Sequence, residues 1–195
     1  MKEIPLLRTW LGTAGLVVAI ILVAAGALLS WGSSFVGTQV HDQLAAQKIF
    51  FPPAGSEGLD AKTYPGLQQY GGQQLVTGEQ AKAYADQYIA KHLEEMTGGK
   101  TYSQLSTESR ANPDDQKLAG MVQTVFRGET LRGLLLNAYA FGTMGTIAGI
   151  AAVVSYVGAA LMFFLSLLGF VHLRRTPEAA VVGGAHERID TPANA

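Results

Sequence analysis

Two stretches of this chain carry no charged side chain, Thr9 to Val40 and Gly133 to Val171. Nothing else in the 195 residues constrains the fold as strongly. A bilayer core is about 30 Å thick and takes roughly 20 helical residues to cross. In hydrocarbon an unpaired backbone group costs several kcal/mol, so such a segment must be helical. The first stretch contains LGTAGLVVAIILVAAGALLSW, Leu11 to Trp31, with Trp10 and Trp31 at its ends, where indole rings favour the interface. The second contains AGIAAVVSYVGAALMFFLSLLGFV, Ala148 to Val171, followed by His172, Arg174 and Arg175. Lys2 and Arg8 precede the first span and the next basic residue is Lys48. The positive-inside rule then puts both termini in the cytoplasm and the intervening residues outside. Ala25-Gly26-Ala27 resembles a signal-peptidase site, but the apolar run continues through Leu28, Leu29 and Trp31, so an uncleaved anchor is expected.

As a helix the second uncharged run would measure about 58 Å, well over one untilted crossing. It has no Pro and no Asn-Gly or Asp-Gly pair to turn it. One long helix that starts outside the membrane and continues through it is therefore expected, running from about Pro113 to near Arg174. The first span should extend likewise, since Phe35, Val36, Val40, Leu44 and Ile49 recur near helical spacing. Leu118, Val122, Val125, Leu131, Leu135 and Ala138 form an intermittent stripe to oppose them. Together these predict an antiparallel helical stalk. Gly26, Gly142, Gly145, Gly149, Gly158 and Gly169 permit close helix approach, and Gly145 with Gly149 makes a G-x-x-x-G pair that serves either the two helices or a partner.

Between the spans, Phe50-Phe51-Pro52-Pro53 is expected to end the first helix. Residues 54–76, rich in Gly, Gln and Pro, read as a loop with some order. Thr77 and Gln80 fit a capping box. The helix they open should present Ala81, Tyr84, Ala85, Tyr88, His92 and Met96 on one face and stop at Gly98-Gly99. Tyr84, Tyr88 and Tyr102 are expected to be packed. A short element over Thr101–Leu105 follows, and Asn112-Pro113-Asp114-Asp115 should open the long helix, with Asn112 as its cap. The last twenty residues, with Thr176-Pro177 and Thr191-Pro192, read as a disordered tail.

The chain offers little for chemistry. It has no cysteine, which excludes thiolate catalysis and Cys-based metal sites. Its net charge of -1 gives no basic surface for nucleic acid. Gly99-Lys100-Thr101 imitates the end of a phosphate loop, but Glu94 stands where that pattern needs Gly. His41, Asp42, His92 and Glu95 are the only outward candidates for a metal, and no two His share helical spacing. Neither span holds an ionisable residue of the kind that ion and proton paths use. No catalytic residue, cofactor or metal is expected.

The run Ala83-Tyr84-Ala85-Asp86-Gln87-Tyr88-Ile89, then His92, then Gly99-Lys100-Thr101-Tyr102-Ser103-Gln104-Leu105, lies between two spans. This resembles a family of small two-span actinobacterial membrane proteins with a pattern like A-Y-A-Q-A-x-x-I, H, G-K-T-Y-A-E-L on the outer side. The opening Lys2-Glu3-Ile4-Pro5-Leu6-Leu7-Arg8 is similar too. Asp86 and Gln104 depart from the Gln and Glu usual there. The resemblance implies a topology and no established activity. Some members carry a label as ring-opening dioxygenases, but an extradiol iron site commonly takes two His and a carboxylate, and this chain offers no such set.

The expected fold is an all-α membrane protein: a two-helix transmembrane hairpin extended by an antiparallel helical stalk with a small helical extracytoplasmic cap. The expected divisions are a cytoplasmic N-terminus (1–9), a first span (10–31), the extracytoplasmic stalk and cap (32–146), a second span (147–173) and a cytoplasmic tail (174–195). The expected place is the plasma membrane. The expected role is a non-catalytic accessory or scaffold subunit of a cell-envelope complex, or alternatively an extracytoplasmic binder of a small ligand, lipid or peptide. Besides the bilayer, a membrane-protein partner or a second copy is expected. The candidate interaction residues are Tyr84, Tyr88, His92, Tyr102, Gly145 and Gly149.

Overall fold

The computed structural model describes residues 3–175; residues 1–2 and the tail from Thr176, with both Thr-Pro pairs, lie outside them. The described residues are helical, apart from turns and one isolated antiparallel bridge between Phe50 and Gln74. Helix α1 runs Glu3–Gln47. A bent helix follows, built of α2 (Gly78–Ala83), a π-helical segment (Tyr84–Ile89) and α3 (Ala90–Thr97). Then come α4 (Tyr102–Ala111) and α5 (Gln116–Arg175). Both α1 and α5 are long and apolar enough to cross a membrane.

The chain divides into two compact units. One comprises residues 1–27 and 153–195. In its described part α1 and α5 meet through small residues: Gly12 against Phe170, Gly15 against Ser166 and Gly26 against Tyr156, an antiparallel order. Ala19, Ala159 and Ser166 are buried there, while Ile20, Val23, Val157, Leu161, Phe164 and Leu168 face outward. The Ser166 hydroxyl donates to the Met162 carbonyl at 2.8 Å, so no polar group is left open at that contact.

The other unit, residues 28–152, holds two apolar cores. In the larger, Phe51, Leu59, Leu67 and Leu75 from the loop meet Leu44 of α1 and Leu135 of α5, with Ala81 and Ala85 from the buried face of the bent helix. The loop is therefore ordered. It contains two short 3-10 turns, Glu57–Leu59 and Pro65–Tyr70, and returns to its start through Gly72 N–H to Pro52 O and Leu75 N–H to Ile49 O. The smaller core joins Leu93 of α3, Leu105 of α4, and Val122 and Val125 of α5.

Four expectations change. First, α1 stops at Gln47, before the two prolines; Lys48 turns left-handed (φ 53°), and the Gln74 side-chain amide donates to the part-buried Ala45 carbonyl at 2.8 Å. Second, Asn112 ends α4 instead of opening α5, and Asp115 takes the N-cap role, its carboxylate accepting from Leu118 N–H at 2.9 Å. Third, the element after Thr101 is a ten-residue helix with its own Thr101–Gln104 capping box. Fourth, Leu118, Val122 and Val125 pack against α3 and α4, not against residues 33–49. Because α1 ends at Gln47, only Leu131, Leu135 and Ala138 of that stripe join its core.

Candidate functional site

The Thr77–Gln80 capping box forms: Gln80 N–H donates to Thr77 Oγ1 at 3.2 Å and Gln80 Oε1 accepts from Thr77 N–H at 3.1 Å. From there the chain turns as an α-helix until Tyr84, where it widens to the i→i+5 pattern, Ala90 N–H donating to Ala85 O. A π turn accommodates one extra residue per turn and rotates everything after it. Past the π segment the buried positions are Leu93 and Thr97, and Met96 is exposed. The constant 3.6-residue period had placed His92 and Met96 inward, one residue too early.

The rotation aligns a ladder of rings. Phe51 meets Tyr84 edge-on at 5.1 Å, Tyr84 lies 4.8 Å from Tyr88, and Tyr88 lies 4.6 Å from His92. Tyr64, from the loop, closes over them, 5.5 Å from Tyr88 and stacked on His92 at 6.0 Å. His92 Nδ1 is 3.2 Å from the Tyr64 hydroxyl and 3.0 Å from the Tyr88 carbonyl. A protonated Nδ1 donates to the carbonyl; a bare one accepts from the hydroxyl. Burial, then the nearby Glu95, hold the Tyr64 phenol above its ordinary pKa, and burial followed by Tyr88 does the same for Tyr84. Both phenols therefore stay protonated at neutral pH; the Tyr64 hydroxyl lies in the contact with His92, and Tyr84 contributes its packed ring. Beside them is a shallow polar hollow of about 300 Å³ bordered by Tyr64, Asp86, Gln87, Lys91 and Glu94.

The π segment is held from α5. Arg132 Nε donates to the Ala85 carbonyl at 3.1 Å, and its guanidinium reaches Asp86 at 3.6 Å and Glu129 at 2.9 Å. Asp86 also pairs with Lys82, whose ammonium it holds above the ordinary lysine pKa. Arg132 was not singled out in the sequence; an Arg in an apolar stripe, between Leu131 and Leu134, was the available signal.

Tyr102 is separate. It is 41% exposed and touches the Phe126 ring at 5.8 Å, so the expectation that it is packed fails. The start of α4 leaves it on the outer side while Leu105 takes the core position. Gly98 and Gly99 have φ of 62° and 82°, and Gly99 N–H closes on Glu94 O, a helix stop that needs glycine. Lys100 is paired with Glu108 at 2.8 Å. His41 binds its neighbour Asp42 on an exposed face, and His92 pairs with Tyr64 and Tyr88. Among the described residues no three His, Cys, Asp or Glu side chains converge as a metal would require.

Gly145 and Gly149 face α1. The Ser33 hydroxyl donates to Gly145 O at 2.7 Å, and a Cβ on Gly149 would lie 3.0 Å from Ser33 Oγ. The G-x-x-x-G pair thus serves contact within the chain, with Ser33 as its unforeseen partner. Further along the same helices lies a groove of about 480 Å³ with an apolar floor of Val40, Leu44, Leu135 and Ala138. No family model, curated protein or solved structure matches the chain.

Proposed function

We propose that the chain is a two-pass protein of the plasma membrane, with residues 32–146 forming an extracytoplasmic stalk and cap and both termini in the cytoplasm. It acts there as a non-catalytic accessory or scaffold subunit of an envelope complex, and it is a member of the small actinobacterial family its motifs resemble. The observation that carries the reading is the arrangement of the unit containing residues 3–27 and 153–175. Its helix contact is made at Gly12, Gly15, Ala19, Gly26 and Ala159, while large apolar residues such as Ile20, Val23, Leu161 and Phe164 face outward. Water would penalise so extended an apolar exterior. In lipid no hydrophobic force joins helices, and small residues at the contact let dispersion do so. The larger unit supports the scaffold role, because its cores are filled by Phe51, Leu59, Leu67 and Leu75 and its aromatic ladder is tied by hydrogen bonds.

A photo-crosslinking amino acid placed in living cells at Phe126 or Met96, exposed positions on the extracytoplasmic module, tests the role. A scaffold gives one discrete protein adduct at a fixed position. A small-ligand binder gives none there. The second reading, a binder, is favoured by one feature, the groove between residues 35–47 and 134–141.

A further inference from the structure

We propose that the groove between α1 and α5 takes one acyl chain of a membrane phospholipid, lifted partly out of the outer leaflet; this rests on the two-pass reading above. The groove has a volume of about 480 Å³, within the few hundred Å³ typical of small-molecule sites. It extends along α1 from Phe35 to Gln47, about 18 Å at 1.5 Å per residue, a length suited to an extended alkyl chain. No ionisable side chain lines it. Its polar members are amides, Gln39, Gln43 and Gln47 on one helix and Asn137 on the other, with Gln43 Nε2 donating to Gln39 Oε1 at 3.4 Å.

This chemistry separates the candidate occupants. An amphipathic protein helix carries charged flanks, and charged flanks discriminate through complementary charge, which the groove lacks. A hydrocarbon chain needs only the apolar floor, and its ester carbonyls accept from amides. Access fits as well. The uncharged sequence from Thr9 runs through the first span to Val40, and that from Val171 runs through the second span to Gly133, so no charged residue separates span from groove on either helix. Trp31 stacks on Phe35 at 5.6 Å where the groove begins, an aromatic pair of the kind that seats at the headgroup level. Leu134 and Phe141 are 60% and 56% exposed at its edge, and an acyl chain would cover them.

The test reconstitutes the full chain in vesicles of phosphatidylethanolamine and phosphatidylglycerol in which a fraction of lipid carries a diazirine midway along one acyl chain. After irradiation, adducts are mapped by peptide. The proposal expects adducts on residues 35–47 and 134–141 in addition to those on 10–31 and 147–173. Leu134→Glu places a charge at an exposed edge of the groove and should lower the groove adducts about tenfold or more while leaving the span adducts unchanged. Gln43→Glu, on the exposed rim, should act in the same direction without touching the core. Adducts confined to the two spans overturn the proposal and leave the two-pass reading intact. Crosslinking between copies through Asn137→Cys, with no groove adduct, overturns it in favour of a second copy as occupant. Failure of the protein to float with the vesicles overturns the two-pass reading, and this proposal with it.

Discussion

Arg132 Nε and the Ala85 carbonyl, 47 positions apart, are joined by a 3.1 Å hydrogen bond at the point where the helix widens to π geometry. The same carbonyl accepts from Ala90 N–H, so the guanidinium fixes the residue that defines the wide turn. Replacing Arg132 with Met keeps much of the stem and removes the donor. Stability should fall by about 1–2 kcal/mol, the worth of a hydrogen bond from a charged donor at a partly exposed site. Amide exchange over residues 85–93 should quicken. Lys in its place keeps the charge without the fork and should restore only part. Unchanged exchange in Arg132→Met would show that the π turn stands without this bond.

The ladder and the isolated tyrosine should respond differently to truncation. Tyr88 touches Tyr64, Tyr84 and His92, and Tyr88→Ala should cost about 2–4 kcal/mol, toward the lower end of core aromatic losses because the ring is half-buried. Tyr102→Ala should stay within about 0.5 kcal/mol, as at exposed positions generally. Thermal unfolding in one detergent compares them. Equal losses would contradict the placement of both rings.

Much of this could be read from the residues. Some caps and stops are written locally: Thr77 with Gln80, and Gly98-Gly99, sit where their side-chain and backbone chemistry requires, whereas Asn112 does not cap α5 and Pro52-Pro53 does not set the end of α1. The π turn was hidden because periodicity assumes one period throughout, and the contact that stabilises it comes from Arg132, far along the chain. Ser33 was missed for a like reason: glycines advertise a close approach but not the group that makes it. The groove exists only when α1 and α5 lie side by side, which no single helix pattern reveals.

At the Ser33 contact, bulk should matter more than the hydrogen bond. Ser33→Ala should cost about 0.5–1 kcal/mol, the net worth of an ordinary intramolecular hydrogen bond. Gly149→Leu must push Ser33 aside, since even a Cβ would come to 3.0 Å, and should cost about 1–3 kcal/mol. The ranking, read from unfolding in detergent, reverses if these helices do not touch there.

Asp60 supplies a pH dependence. Its carboxylate accepts from Thr63 N–H at 2.9 Å and Lys62 N–H at 3.0 Å, and hydrogen bonding from Thr63, first of all, lowers its pKa below the ordinary 3.8. The folded state therefore prefers the ionised form. That contribution is full above pH 3.8 and is lost as pH falls below it through the lowered folded value. Asp60→Asn should flatten the stability curve in that acidic window and leave its shape unchanged near neutrality. An unaltered acid limb would remove Asp60 from the account.

The proposed two-pass topology is the central claim, and the absence of cysteine makes it directly measurable. Ala61→Cys places one thiol at an exposed loop position between the two long helices; a second variant carries its only cysteine appended after Ala195. Intact cells are treated with a membrane-impermeant maleimide, then lysed and treated again. The account predicts that Ala61→Cys is labelled in intact cells and that the C-terminal cysteine is labelled only after lysis. Protection of Ala61→Cys until lysis, or labelling of the C-terminal cysteine in intact cells, would contradict it.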